Sequence, residues 1–264
     1  MRQDLPDLML SNKNALVTGG GAGIGRGIAK MLSAAGAHVI VTDMNFESAN
    51  ETANTCRDAG GSASAFLLDV TDSSAVENIC KEVVDQIGLV GILINNAGVV
   101  SIAPFLELSI DDFDRIIDVS LKGTYLMTRS VLPQMHEQNW GRIISLSSMM
   151  GKTPAGYAAH YAAAKAGIIG FTQSIAKEVG PHITVNCLCP GNIETAIMEH
   201  DYDYFSERYS ISPDELRQQW IDEVPLGRLG EPSDVARAVL VLATETGQYT
   251  TGQAINVSGG LEIH

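Results

Sequence analysis

The chain has 264 residues, with 17 Lys and Arg against 31 Asp and Glu, a formal charge of −14. That balance excludes a nucleic-acid-binding surface and an anionic membrane face as partners, because both need clustered cations. With 45% hydrophobic and 18% charged residues, the chain is ordinary globular composition and long enough to bury roughly 70–75% of its unfolded surface without disulfides or a structural metal.

The first ten residues, MRQDLPDLML, hold no apolar run, so a secretory leader is not expected and a soluble, cytoplasmic protein is. Asn14–Thr18 (NALVT) is a strand that ends in a glycine cluster. Ile24, Ile28, Met31, Leu32 and Ala35 follow at helical spacing, and His38–Thr42 and Ala63–Leu68 are the next strands. Val76, Ile79, Cys80, Val83, Val84 and Ile87 make one apolar helix face before a strand at Ile92–Ile94. Ser109 with Asp112 marks the start of a long helix running to about Gln138. A strand at Arg142–Leu146, a helix carrying Ile168, Phe171, Thr172, Ile175, Ala176 and Val179, and a strand at Ile183–Leu188 come next.

Residues 193–225 interrupt the rhythm as a long insertion rich in aromatic and acidic residues, with its own helix start at Ser212-Pro213-Asp214-Glu215. Insertions at strand ends are where substrate lids sit. Pro232–Thr244 is a further helix and Ala254–Val257 a final strand. Repeated β-α-β units predict an α/β fold: a doubly wound parallel sheet with helices on both faces, in three layers. Residues 10–264 read as a single domain. Cys56, Cys80, Cys187 and Cys189 show no metal-ligand spacing and are expected as free thiols. No metal site is expected.

Thr18-Gly19-Gly20-Gly21-Ala22-Gly23-Ile24-Gly25 joins the first strand to the first helix. Glycines there let a pyrophosphate approach backbone N–H groups at a helix N-terminus, where the dipole favours an anion. Asp43 ends the second strand and suits the two hydroxyls of an adenosine ribose, while repelling a 2′-phosphate; capping the next helix is the alternative role. No Lys or Arg lies at residues 20–24 or 43–47, so NAD is expected over NADP.

Tyr161 and Lys165 stand one helical turn apart. An ammonium beside a phenol favours the phenolate and fits the phenol for general acid–base work. With these residues assembled, the chain resembles the short-chain dehydrogenase/reductase family over nearly its whole length. Gly19, Gly23 and Gly25 match the family's glycine turn, Asp69-Val70 its adenine contact, and Asn95-Asn96-Ala97-Gly98 its NNAG element. Ser148 lies at the family's catalytic spacing before Tyr161, and Pro190-Gly191 with Thr195 matches the nicotinamide-cradling segment. Ser145 and Ser147 are rivals to Ser148 in the same run.

The resemblance implies a Rossmann-type fold, a homotetramer built on the long helices and the C-terminal segment, and a set of roles. Tyr161 exchanges a proton with the substrate oxygen, Ser148 hydrogen-bonds that oxygen, and Lys165 holds the nicotinamide ribose. Ile24, Asn95, Ala97, Gly98 and Ile193 pack along the cofactor, and Thr195 orients its carboxamide. One position departs from the pattern: Ser120 stands where the family usually has the Asn that holds a water for proton relay. His160 is left without a role, and Tyr157, Met149 and Met150 either line the substrate pocket or pack against helices.

The expected function is NAD-dependent interconversion of a small-molecule secondary alcohol and its ketone. The segment Trp220–Arg228 and the hydroxyl and acidic side chains of Glu199–Ser210 lean the substrate toward a sugar or polyol, although the latter could equally be a solvated face. An NADPH-linked reductase of keto esters or 3-oxoacyl thioesters is the rival enzyme, and a non-catalytic NAD-sensing protein the rival of another class.

Overall fold

Short runs rich in Val, Ile, Leu and Ala pair side by side, and the chain between them returns over the sheet as helix. The strands β1 (Asn14–Thr18), β2 (His38–Asp43), β3 (Ser62–Leu67), β4 (Ile92–Asn95), β5 (Gly141–Leu146), β6 (Ile183–Pro190) and β7 (Ala254–Val257) form one sheet in the order β3-β2-β1-β4-β5-β6-β7. Every pairing is parallel. The computed structural model describes residues 9–264, and of residues 197, 199–201 and 203 the backbone alone. The reading of the N-terminus therefore falls almost wholly outside the described residues.

Side-chain alternation along each strand sends successive residues to opposite faces, and the sheet accordingly has two cores. Ala15 and Val17 of β1 join Val39 and Val41 of β2 against α1 (Gly23–Ala34), α2 (Phe46–Asp58) and α9 (Pro232–Ala243), through Ile28, Leu32, Ala53 and Val239. Leu16, between them, faces the other way with Ile40 and Leu93, against α3 (Ser73–Gln86) and α5 (Gly123–Glu137), through Val76, Val83, Met127 and Val131. β5 and β6 are buried along their whole length, as expected of strands covered on both sides. This is the doubly wound, three-layer Rossmann-type fold.

The long helix expected from Ser109 to Gln138 is α4 (Ile110–Ile116) and α5 joined by a π-helical segment at Ile117–Lys122. The Ser109 hydroxyl caps it, accepting from the Asp112 N–H at 3.0 Å. Two helices were not expected. α2 has a face of small residues (Ala49, Thr52, Ala53, Cys56) rather than large apolar ones, and is fixed by its Asn45 cap, which accepts from the Ser48 N–H at 3.0 Å. α7 (Ala196–Tyr209) lies in the insertion. α8 (Pro213–Asp222) follows it and starts on the expected capping box, with Ser212 and Glu215 bonded reciprocally at 3.2 and 2.9 Å.

The insertion has a small apolar cluster of its own, Met198, Val224 and Leu229 with Tyr202, Trp220, Ile221 and Leu261, separate from the two sheet cores. All four cysteines are buried free thiols. Among the described residues no helix is long and apolar enough to cross a membrane, and no group of His, Cys, Asp and Glu is placed to hold a metal.

Strand order reverses direction at β1, whose neighbours β2 and β4 are followed by chain leaving to opposite sides. A crevice opens at the carboxyl ends of the strands at such a switch point. Thr18, the last residue of β1, ties the crevice floor together: its hydroxyl accepts from the Asn96 and Ala97 N–H groups, each at 3.0 Å, and reaches the Ile94 carbonyl at 3.3 Å.

Candidate active site

A cleft of about 740 Å³ runs across this switch point, and most of the residues expected to form the site line it. At one end lies the β1–α1 turn. The N-terminus of α1 carries no side-chain cap and no acidic residue in its first turn. Its N–H groups are thus available to an anionic ligand, the arrangement that holds a pyrophosphate. Gly25 is required by packing, because a Cβ there would collide with the Gly19 carbonyl. Gly19, Gly23 and Ile24 line the cleft beside it.

Asp43 sits at the far end of this turn. One carboxylate oxygen accepts from the Gly21 N–H and the other from the Asn45 N–H, each at 3.0 Å. The carboxylate is therefore fixed facing the cleft, with Met44, Asp69 and Val70 beside it. Asp69 is pinned in turn by Thr71, whose N–H and hydroxyl donate to it at 2.9 and 2.8 Å. Arg26, the nearest cation in sequence, is engaged elsewhere: its Nε donates to the Gly21 carbonyl and to Thr52 at 2.9 and 3.0 Å, and it pairs with Glu51 at 3.3 Å. Ala97, Gly98, Pro190, Gly191, Ile193 and Thr195 line the opposite wall.

The other end holds Ser148, Tyr161 and Lys165. Ser148 leaves β5 and opens a 3₁₀ turn at Met149–Gly151, its hydroxyl accepting from the Met150 N–H at 3.1 Å. Tyr161 lies in the first turn of α6 (Ala159–Ala176), and Lys165 one turn further along the same face. The Lys165 Nζ donates to the Leu146 carbonyl at 2.8 Å and lies 5.4 Å from the centre of the Tyr161 ring. Its backbone carbonyl accepts from the Ser147 hydroxyl at 2.8 Å. Of the other serines in the run, Ser147 is engaged with that carbonyl and Ser145 accepts from Asn95 at 3.2 Å.

Ser120 is fully buried in the π-helical segment, and among the described residues its hydroxyl has no hydrogen-bond partner. A Cβ built on Gly98 would lie 3.4 Å from the Lys165 Nζ and 3.5 Å from the Ser120 Oγ. The absence of a side chain at Gly98 thus leaves room between a buried ammonium and an unsatisfied hydroxyl, a polar niche of the kind that takes a water.

Asn95 stands apart from the other expected cofactor residues. Its side chain turns into the core, donating to Thr128 at 3.1 Å and to Ser145, and it does not line the cleft. The cause is strand alternation: Asn95, the last residue of β4, shares the sheet face of Leu93 and so meets Thr128 of α5 and its cross-strand neighbour Ser145. Asn96 takes the cleft position, its Nδ2 donating to the Thr18 and Gly19 carbonyls at 2.9 Å each, which clamps the glycine turn to β4. Its place in the NNAG run is the one signal that could have singled it out. Met149 and Met150 line the cleft, whereas Tyr157 stands off it. His160 is fully buried and bonded through Nε2 to the Ser101 hydroxyl at 2.7 Å, a tie between α6 and the loop after β4. Of the acidic stretch Glu199–Ser210, the side chains of Glu199, Asp201 and Asp203 lie outside the described residues.

Burial lowers the Lys165 ammonium to about 8. The unfolded chain holds that proton to about 10.4. Between these values the unfolded state binds more protons, so stability rises with pH across the window. At about 1.36 kcal/mol per pH unit, the gain is on the order of 3 kcal/mol. In denaturant titrations without cofactor from pH 7.5 to 10.5, the stability of the wild type relative to Lys165→Met is expected to climb by that amount; a constant difference would rule out a buried ammonium with this titration.

A family model described as short chain dehydrogenase matches residues 13–203. The chain is 36% identical to the 3-oxoacyl-(acyl-carrier-protein) reductase FabG of Aquifex aeolicus, over 97% of this chain and 99% of that protein. Among solved structures it is similar to an actinorhodin polyketide ketoreductase with NADPH, with a TM-score of 0.93, 34% identity and coverage of 96% and 98% of the two chains. It is also similar to a 7α-hydroxysteroid dehydrogenase with NADH and 7-oxo glycochenodeoxycholic acid, with a TM-score of 0.89, 32% identity and 96% of each chain covered.

Proposed function

The chain belongs to the short-chain dehydrogenase/reductase family, a family of oxidoreductases that use a nicotinamide cofactor, and we propose that it interconverts a ketone and a secondary alcohol on an apolar carbon skeleton with NAD(H). A nicotinamide held in the cleft supplies the hydride in reduction and accepts it in oxidation. Tyr161 gives its phenolic proton to the carbonyl oxygen as that oxygen gains charge, and takes it back in the reverse direction. Ser148 donates a hydrogen bond to the same oxygen, a preorganised donor where charge develops. Lys165 fixes the ribose and favours the phenolate of Tyr161. Ser120, with a water in the niche beside Gly98, returns the proton toward Lys165 in place of the family's Asn.

Gly19, Gly23, Ile24 and Gly25 hold the pyrophosphate, Asp43 the adenosine ribose, Asp69 and Val70 the adenine. Ala97, Gly98, Pro190, Gly191, Ile193 and Thr195 hold the nicotinamide half. Residues 10–264 act as one catalytic domain, with 193–225 as its substrate loop.

The substrate class is carried by the cleft wall around Ser148 and Tyr161, where Val99, Val100, Met149, Met150 and Met198 supply apolar surface. Hydroxyl groups of a polyol set against these five side chains would lie without partners, a cost of about 1–3 kcal/mol each, although Arg115, Asp118 and Asn192 also line the cleft. This wall, with a relative named for 3-oxoacyl reduction, favours a 3-oxoacyl thioester or another apolar ketone over the sugar or polyol suggested by the loop sequence. A panel of 3-oxoacyl thioesters, cyclic ketones and polyols, followed by nicotinamide absorbance, tests it. The expected kcat/KM is at least about tenfold higher for the apolar ketones; a polyol as best substrate would reverse the assignment, and binding of NADH with no turnover on any member would favour the sensing protein.

Phe105, Leu106 and Ile110 are strongly exposed at the start of α4, with Phe113 and Tyr125 partly so. This apolar patch supports the homotetramer, and a monomer in light scattering would exclude it.

A further inference from the structure

Tyr157 adopts φ +66°, in the left-handed region that a bulky side chain rarely occupies. A residue held there needs surrounding contacts that determine it, and Tyr157 has them on three sides. Its carbonyl accepts from the Ala103 N–H at 2.9 Å, which joins it to the loop that carries Val99 and Val100 into the cleft. Its hydroxyl accepts from the Arg208 guanidinium at 2.9 Å, and the same guanidinium lies over its ring at 4.3 Å from the centroid. Phe205 meets the ring edge-on at 6.5 Å. Arg208 and Phe205 both belong to α7, and Phe205 stacks on Tyr209 and packs against Trp220 of α8.

The apolar cluster that packs Met198 and Tyr202 of α7 against α8, Leu229 and Leu261 is separate from the sheet cores, so the Tyr157 contacts are a second tie, from α7 to the segment before α6. Met198, in the first turn of α7, lines the cleft. Resting on the oxidoreductase reading of that cleft, we propose that Tyr157 and Arg208 form a latch that positions α7 against the substrate wall, and that the strained backbone of Tyr157 is retained for this purpose. Tyr157 and Arg208 are positioning residues. The cofactor side is independent of them, because the chain before α7 is anchored separately: Ile193 bridges to Gly230, and the Glu194 N–H donates to the Gly230 carbonyl at 2.8 Å.

The test uses Tyr157→Gly, Tyr157→Phe and Arg208→Gln in the full chain with NADH bound. Glycine adopts the left-handed conformation without strain, so Tyr157→Gly is expected to leave Tm unchanged or raised. Amide exchange over residues 196–209 is expected to speed up at least threefold in Tyr157→Gly and Arg208→Gln, and less in Tyr157→Phe, which keeps the ring under the guanidinium. KM for the best ketone of the panel should rise about fivefold, with kcat and NADH affinity within twofold. Unchanged exchange in both variants overturns the latch. So does a fall in Tm with exchange rising through β5 and β6 as well, the mark of a structural role. Exchange and Tm need no turnover, so an inactive panel would count against the oxidoreductase reading and leave the latch decided on its own.

Discussion

Tyr161→Phe is expected to lower kcat by roughly 10³-fold, within the range for removing a positioned general acid, while leaving NADH affinity within about twofold. The substitution removes one oxygen and nothing of the ring. Lys165 keeps its bond to the Leu146 carbonyl and Ser148 keeps its turn, since neither bond passes through Tyr161. Hydride transfer to a carbonyl then develops an alkoxide with only the Ser148 hydroxyl to meet it. The checks are steady-state kinetics with a ketone from the panel and fluorescence titration of NADH. Retained turnover would remove Tyr161 from the chemistry; loss of turnover with loss of NADH binding would make it a cofactor ligand instead.

The second large effect concerns Asp43. The wild type is expected to prefer NAD over NADP by about 10² or more in kcat/KM, and Asp43→Ser to bring the two within about tenfold. A carboxylate about 4 Å from one further negative charge costs roughly 4 kcal/mol at an effective dielectric near 20, or nearly three decades at about 1.4 kcal/mol each. Exposure at the cleft edge reduces this. The carboxylate cannot swing aside without giving up the Gly21 and Asn45 N–H groups, and Arg26 is committed to Gly21, Thr52 and Glu51. Equal use of both cofactors by the wild type would show that another group neutralises the 2′-phosphate. The similar structures carry NADPH in one case and NADH in another, which leaves this residue to decide.

The sheet was legible because each strand is a short apolar run closed by a turn signal, and the two faces of β1 follow from alternation alone. That the glycine turn, Asp43, Ser148, Tyr161 and Lys165 would meet along one cleft was legible because the expectation depends on spacing within one or two elements. α2 escaped because the residues it buries are small and partly polar, so no stripe of large apolar side chains marks it. The placing of Asn95 and Asn96 has a related reason: the sequence names both asparagines of the pair, and only the pleat at the end of β4 decides that Asn96 lines the cleft. The π-helical segment and the Tyr157–Arg208 contact depend on residues from separate elements meeting, and no local pattern encodes such a meeting. Ser120 stood out in the sequence as a departure from a pattern, but its burial and its unsatisfied hydroxyl came only from the fold.

The bare N-terminus of α1 has a consequence for the life of the protein in a cell. A helix that forgoes its cap gives up about 1 kcal/mol, and the nicotinamide dinucleotide restores what the sequence omits. By mass action the loaded protein is harder to unfold, by about 2.7 kcal/mol when the ligand stands a hundredfold above its Kd. Proteases that act on the opened chain remove the empty form first. Steady-state abundance of this oxidoreductase would then track the supply of its dinucleotide, with no dedicated regulator, because the ligand that meets the uncapped turn binds the folded chain and not the opened one.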